Sequence, residues 1–426
     1  MILNDKEKKI PIIFIFFIPI YFLFECFSGY LFEKNGLISY MFGTFWVFYF
    51  LFMYFRIGVS RHNISIIFFL IYIFLKILFS SNFLVSLNQY ATLFISMSVF
   101  IVSFKYLNTQ NAFLVISKIS MSFLVIYFLN LIVSNLFLQS SFSGYIKDTQ
   151  NVWNTGNIFT NGLNSIVFLS LATPLIIPFI KSKKNKVLYL ILLFIGIVSV
   201  LISFKRISIL AIPVGFIVIL LTNKNILSNF RNIILVSLTI LLTFPIYSDI
   251  IEKQFEARQK TFNRGFQREG RYLETVLVWS NALSFSSINE SIFGKEMFNS
   301  VNNYGLVVDK KRMIHVDYNQ LLHGSGFIGL FMYLYIHINL IRKMILYSKR
   351  GNHYLNDYNN TSIYDKKLIN YSPSVFYAFI VISLFLSIGG GFHLVLFNSV
   401  KFLFLGSILG FWYNLYIKKS NFLNKK

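Results

Sequence analysis

One short segment combines side chains that could transfer a proton. His315-Val-Asp-Tyr318 brings an imidazole, a carboxylate and a phenol together directly before a long apolar run. Histidine has an ordinary pKa near neutral pH, so it can take a proton from a hydroxyl group or donate a hydrogen bond to an anion. We predict that His315 acts in one of these two ways, with Asp317 as an alternative base and Tyr318 beside them in a supporting position.

A second segment, Gly270-Arg-Tyr-Leu-Glu-Thr-Val-Leu-Val-Trp279, has apolar residues at helical spacing. The pattern predicts an amphipathic helix at a membrane interface, with Arg271 in its first turn. Glu274 on this helix is another candidate base. Trp279 is either an interface anchor or a platform for a substrate, and the sequence favours the anchor.

Arginine and lysine side chains supply candidates for binding an anion. Arginine presents a planar fork of donors that suits phosphate or carboxylate, and a helix N-terminus adds free N–H groups. Arg206 is predicted to begin a helix after a very short connection. Two alternatives stay open: lysine and arginine in that connection reach lipid phosphates, or the arginines of the 249–318 segment pair with its acidic residues. The candidate side chains for binding a diphosphate are Arg206, Arg271, Arg268, Arg264 and Lys205.

The elements that must position these residues are membrane helices. The chain has 426 residues, of which 56% are hydrophobic, 19% aromatic and 13% charged, which does not make a soluble surface. A bilayer core needs about 20 apolar residues per helix. We therefore predict an all-α integral membrane protein with twelve transmembrane helices. They are expected near 10–32, 37–55, 64–79, 87–104, 113–138, 158–180, 187–204, 207–222, 232–248, 319–341, 374–395 and 399–417.

The distribution of lysine and arginine predicts the orientation of the chain. Positive residues flank membrane helices mainly on the cytoplasmic side, and here they cluster before the first predicted helix, after the last, and in the even-numbered connections. Both termini are then cytoplasmic.

The predicted spans divide the chain into three parts. Residues 1–248 form a membrane domain of nine helices, and residues 249–318 form a large extracytoplasmic loop with amphipathic helices. Residues 319–426 form three more helices, with a cytoplasmic loop near 342–373. The net charge of +23 is explained by these flanks, so we expect no nucleic-acid partner.

The extracytoplasmic loop departs from this charge pattern through its arginines. Of eleven arginines in the chain, six fall on the predicted outer side, whereas lysine is preferred elsewhere. Long segments cross a membrane with less regard for charge, so the predicted topology survives. An outward cluster of arginines indicates an anionic ligand.

Taken together, these segments resemble the Wzy-type polysaccharide polymerases and the related O-antigen ligases. The resemblance covers about residues 195–341: a basic turn with Arg206, a long outer loop with a Gly-Arg…Trp…Phe-Gly pattern, and a final motif of His, Tyr, Gln-Leu-Leu and Gly-Phe-Ile-Gly-Leu. In the family the final motif typically reads His-Asn-x-Tyr-Leu-Gln, and Val316 replaces the Asn here.

The resemblance implies a metal-independent glycosyltransferase of the bacterial inner membrane that needs no cofactor. It would join polyprenyl-diphosphate-linked oligosaccharide repeat units into O-antigen, capsule or exopolysaccharide on the outer face, with a chain-length regulator and a flippase as possible pathway partners. The sequence shows no P-loop, no Cys/His cluster and no His-Glu-x-x-His helix. An O-antigen ligase, or a flippase or other transporter of the same pathway, remains an alternative.

Overall fold

The chain folds as a bundle of helices in a computed structural model. The structure describes residues 10–31, 36–58, 60–136, 161–202, 206–223, 270–300, 314–356, 363–392 and 394–423, with isolated residues at 244, 245, 248 and 252. Every regular element in these ranges is a helix. They are α1 (Ile12–Leu31), α2 (Gly36–Ile57), α3 (Ile64–Ile77), α4 (Phe83–Tyr106), α5 (Gln110–Leu136), α6 (Asn161–Ile176), α7 (Lys183–Ile202), α8 (Arg206–Thr222), α9 (Gly270–Ser284), α10 (Ile288–Phe293), α11 (Asp317–Asn356), α12 (Ile363–Leu386) and α13 (Val395–Leu423).

The helices have the length and composition of membrane spans. Within the described ranges, eight helices are long and apolar enough to cross a bilayer, and three shorter apolar helices accompany them. Large apolar side chains such as Phe48, Phe55 and Leu221 are more than half exposed, as expected when lipid surrounds the bundle. The protein is therefore an all-α, multi-pass membrane protein. The predicted ninth helix, 232–248, lies almost wholly outside the described residues, so the total of twelve stays a prediction.

Helix α13 lies at the centre of the bundle and packs most extensively against α4. Two glycines four residues apart, Gly406 and Gly410, face the α4 backbone: a Cβ atom would lie 2.5 Å from the Phe100 carbonyl oxygen at the first and 2.6 Å from the Phe104 carbonyl oxygen at the second. Small residues at this spacing let two membrane helices approach closely. The rest of α13 buries its apolar residues against α1, α6, α11 and α12.

Most of the stretch 342–373, where a cytoplasmic loop is predicted, is helical. Helix α11 continues to Asn356, and α12 already begins at Ile363. The polar stretch stays helical because α11 has packing partners on α13. A Cβ atom on Gly351 would lie 2.9 Å from the Trp412 ring, and Arg350 donates a hydrogen bond to the Tyr416 hydroxyl (3.2 Å).

Helix α12 ends nine residues earlier than the predicted 374–395 run. Three consecutive glycines follow it, and Gly390 (φ 84°) and Gly391 (φ 121°) adopt backbone conformations that residues with a side chain rarely take. Residues 387–392 and 394 lie in the connection to α13, and we call them the glycine turn.

Helices α9 and α10 dock onto α11. Helix α11 is kinked at Gly326 (φ 64°, ψ −167°), where its backbone contacts Gly294 at the end of α10. The Lys295 N–H donates to the His323 carbonyl oxygen (2.8 Å). Because neither glycine carries a side chain, the two backbones touch, which fixes α10 against the first, separate part of α11.

Candidate functional site

The centre of the site is a carboxylate paired with a histidine. Glu274, in the second turn of α9, is 2% exposed at its side chain, whereas the side chain of His315 is 43% exposed. The Glu274 Oε2 atom accepts a hydrogen bond from the His315 backbone N–H (3.3 Å), and its Oε1 atom lies 3.8 Å from His315 Nδ1. One carboxylate therefore holds the backbone of His315 and faces one nitrogen of its ring, while the ring stays accessible.

A buried chain of hydrogen bonds holds α9 in place beside α11. The side chain of Asn319, which is fully buried, donates to Thr275 Oγ1 (2.8 Å) and accepts from Trp279 Nε1 (3.1 Å). Thr275 also donates to the Arg271 carbonyl oxygen (2.8 Å). The face of α9 that carries Glu274 is thus tied to the helix that follows His315.

Asp317, the alternative base, lies at the start of α11, and its side chain is fully buried. Its Oδ1 atom accepts hydrogen bonds from the backbone N–H groups of Gly391 (2.6 Å) and Phe392 (3.1 Å). The Asp317 backbone N–H donates to the Ser387 carbonyl oxygen (3.0 Å). Asp317 therefore joins the start of α11 to the glycine turn.

The glycine turn also connects His315 with the start of α8. A Cβ atom on Gly390 would overlap the backbone carbonyl of His315, so the two backbones are in direct contact. One residue earlier, a Cβ atom on Gly389 would lie 3.1 Å from the side chain of Ile207. Arg206, the residue before Ile207, begins α8 as predicted and is exposed. The turn thus brings the N-terminus of α8 and the segment of His315 to opposite sides of one short loop.

Two of the predicted anion-binding side chains belong to this region of the structure. Arg271 lies in the first turn of α9, as predicted, and is half-buried. It precedes Glu274 by three residues, so the two side chains lie on neighbouring positions of the same helix face. Arg206 belongs to the region because the next residue of α8, Ile207, lies beside Gly389 of the glycine turn. The other three predicted side chains, Arg264, Arg268 and Lys205, lie outside the described residues.

The two predicted supporting residues make structural contacts. The Tyr318 hydroxyl donates to the Leu384 carbonyl oxygen near the end of α12 (2.5 Å). Trp279 is half-buried, and its indole N–H donates to Asn319. The N–H is therefore used within the protein, while the rest of the ring leaves both predicted roles, anchor and platform, open.

Sequence reasoning missed the residues that hold the site together. Asn319 lies inside the His315 motif, where its amide gave no separate signal. The glycine turn, which contacts the backbone of His315, lies more than seventy residues further along the chain. A run of three glycines between two apolar stretches was the one available signal, since such a run indicates a close backbone approach.

The fold and the site together define a multi-pass helical membrane protein with a histidine–carboxylate pair and basic residues at one end of its bundle. Within the described ranges, no three His, Cys, Asp or Glu side chains are grouped so that they could hold a metal ion. Comparison of the chain with known protein families and with curated proteins finds no match.

Proposed function

We propose that the protein is a membrane glycosyltransferase that polymerises oligosaccharide repeat units carried on polyprenyl diphosphate. The observation that carries the proposal is the pairing of His315 with the buried Glu274. Glu274 follows Arg271 by three residues on α9. Arg271, to which we assign phosphate binding, and Glu274, to which we assign support of the base His315, are thus one turn apart on α9. The sequence motifs that surround these residues support the same class of enzyme.

The proposed reaction needs a base and a stabiliser of negative charge. The oxygen of an acceptor sugar hydroxyl attacks the anomeric carbon of the donor, the bond from that carbon to the diphosphate oxygen breaks, and the hydroxyl proton moves to His315. Negative charge then develops on the departing polyprenyl diphosphate, where preorganised cations lower the barrier. Arg271 and Arg206 bind this leaving group.

Glu274 is the group that prepares His315 for this role. Nδ1 of the ring faces the Glu274 carboxylate at 3.8 Å, and we assign Nε2 as the ring nitrogen that takes the proton of the acceptor hydroxyl. The carboxylate orients the ring and stabilises the imidazolium that forms when the proton is taken, which is the role of the carboxylate in a catalytic triad. We place Glu274 ahead of Asp317 in this role because the Asp317 carboxylate is buried and occupied by two backbone donors.

The proposal includes a location and an orientation. The protein lies in the cell membrane of a bacterium with both termini in the cytoplasm, and the 249–318 loop is outside. The apolar residues Tyr272, Val276 and Leu283 form an exposed stripe on α9, at spacings of four and seven residues. A helix with such a stripe can lie on the outer face of the cell membrane, where the diphosphate of a polyprenyl substrate is located.

The test is an assay of the purified protein in liposomes with lipid-linked repeat units. Longer glycan on the same polyprenyl carrier supports the polymerase, and its loss in Arg271→Ala, Arg206→Ala and His315→Ala at unchanged protein levels supports the assigned residues. Transfer of the glycan to a lipid-core acceptor identifies a ligase instead. Movement of the lipid-linked unit across the bilayer without any new glycosidic bond identifies a flippase and refutes the proposal.

A further inference from the structure

The glycine turn is held by side chains from α11 and α13, and it contacts the backbone of His315. We infer that Asn398 is a positioning residue for His315, and that Lys401 fixes the orientation of the Asn398 amide. The catalytic meaning of this inference rests on the proposed function, because it takes His315 as the base. The geometric part, that Asn398 sets the position of His315, stands without it.

Asn398 binds the acceptors of the glycine turn. Its Nδ2 atom lies within hydrogen-bond distance of the carbonyl oxygens of Gly391 (3.0 Å), Phe392 (2.7 Å) and Leu394 (2.8 Å). Asp317 binds the N–H groups of Gly391 and Phe392 from the other side. Buried backbone groups without partners are costly, so these two side chains stabilise this one shape of the turn.

Lys401 leaves the Asn398 amide with one orientation. Its Nζ atom donates to Asn398 Oδ1 (2.7 Å), and both side chains are fully or almost fully buried. Lysine can only donate and carbonyl oxygens can only accept, so the amide oxygen must face Lys401 and the amide nitrogen must face the turn. Lys401 also interacts electrostatically with Asp317, which reduces the cost of placing either charge inside a membrane protein.

The position of the turn is transmitted to His315 by direct contact. The backbone at Gly390 touches the His315 carbonyl group, and the Asp317 N–H is bonded to Ser387 at the beginning of the turn. If the turn changes shape, the segment 315–317 loses its support on this side. Glu274 would then be the remaining described contact that fixes the His315 backbone N–H.

The experiment measures the chemical reactivity of His315, which does not depend on enzyme activity. The full-length protein in detergent is treated with diethylpyrocarbonate, and the modification of each histidine is followed by mass spectrometry. In Asn398→Leu and in the nearly isosteric Asn398→Asp, we expect the His315 modification rate to rise about threefold or more, because a locally opened segment exposes the ring. Ser399→Ala is the matched control, since its buried hydroxyl has no hydrogen-bond partner among the described residues, and it should leave the rate unchanged.

Buried His337, which is 3% exposed, reports whether each variant is folded. An unchanged His315 rate in an Asn398 variant whose His337 stays protected overturns the inference. If Asn398→Leu does not fold, Asn398→Gln keeps the amide but displaces it by one methylene group, and we expect a smaller increase in the same direction. Lys401→Met should also raise the rate, because it leaves Asn398 in place without its fixed orientation.

A kinetic test separates this inference from the proposed function. In the wild-type background, Asn398→Gln should lower kcat without changing the KM for the lipid-linked donor. In a His315→Ala background it should have no further effect on the residual rate, since two residues that act through one group are not additive. Full activity of His315→Ala would refute the catalytic assignment of His315, whereas the reactivity test would still decide the geometric part. Equal losses in both backgrounds would overturn the positioning role.

Discussion

Glu274 contacts His315 across forty-one residues of sequence, through both the backbone N–H and the imidazole ring of the histidine. A carboxylate that only neutralised the ring would need one of these contacts. The two together fix the segment that precedes α11 and the direction in which the ring points. This pairing is the part of the site on which the proposed chemistry depends most directly.

Replacement of Glu274 by glutamine separates its two contacts. The amide oxygen of Glu274→Gln can still accept the His315 N–H, but it carries no charge to stabilise an imidazolium. We expect kcat to fall about 100-fold, the lower range for loss of acid–base assistance, with the protein level unchanged. The measurement is glycan chain extension on a lipid-linked substrate. Glu290→Gln, which removes an exposed pair with Lys295 (3.1 Å), is the control. A fully active Glu274→Gln would count against the base assignment.

Replacement of Arg271 by lysine tests whether shape or charge matters at the proposed diphosphate site. Arg271→Lys keeps the positive charge but loses the planar fork that binds two oxygens at once. We expect kcat to fall about tenfold, the size of effect for the loss of one charge-assisted hydrogen bond. Arg342→Lys, at an exposed position of α11, should have no effect. Equal activity of the two lysine variants would refute bidentate binding at Arg271.

Gly390→Ala tests the contact between the glycine turn and His315. Both Gly390 (φ 84°) and Gly58 (φ 73°) have left-handed backbones, so an alanine is strained at either position. Of the two, only Gly390 has a neighbouring backbone, that of His315, in the place of the new Cβ atom, whereas no atom of the described residues lies within 4 Å at Gly58. We expect Gly58→Ala to cost about 1 kcal/mol of stability and to retain activity. Gly390→Ala should lose activity, and similar activity in both would show that the contact is unimportant.

Gly406→Val tests the packing of α13 on α4. A valine side chain cannot fit 2.5 Å from the Phe100 carbonyl oxygen unless the helices separate. We expect a loss of about 1–3 kcal/mol or more in unfolding free energy, measured by thermal or denaturant unfolding in detergent. Gly43→Val is the control, because in the part of the chain that the structure describes no atom lies within 4 Å of a Cβ atom at that position. A Gly406→Val protein as stable as the control would mean that the two helices do not pack as described.

His62, in the connection between α2 and α3, predicts a pH dependence of stability. Burial, and after it the positive charge of Lys343, lower the pKa of His62 from 6.5 to about 4. Its Nδ1 atom is bonded to the Tyr347 hydroxyl (2.8 Å). A histidine with a lowered pKa in the folded state contributes stability above pH 6.5, and this contribution is lost as the pH falls toward 4. The apparent Tm of the wild type should therefore fall more steeply over this range than that of His62→Gln. Parallel curves would contradict the prediction.

The sequence could predict the helices well because apolar runs of sufficient length carry a strong signal. Helices such as α3, α7 and α8 begin within four residues of their predicted starts. The polar stretch after residue 342 carries no such signal, and there Tyr347 makes ring contacts with Tyr413 and Tyr416 of α13, a helix that is distant in sequence. Such contacts have no local pattern.

The candidate site could be predicted only in part, for a similar reason. His315, Arg271 and Glu274 stand in motifs with recognisable residue types, so they could be chosen from the sequence. The sequence could not predict whether Glu274 or Asp317 faces the histidine. Asp317 is closer along the chain, but its carboxylate binds the glycine turn. The pairing depends on how α9 docks against α11, and that is a property of the assembled bundle.

The central place of α13 has a consequence for how the protein is made. The Asn414 side chain donates to the Asn108 carbonyl oxygen just beyond α4, across 306 residues of sequence. At a synthesis rate of roughly 5–20 residues per second, this distance corresponds to a delay of about 15 to 60 s. During that time α4 has been inserted into the bilayer without its principal neighbour, with the groove for Gly406 and Gly410 facing lipid or insertion machinery. Ribosome-stalled chains that end before α13 should therefore remain open at α4, whatever the state of the rest of the bundle.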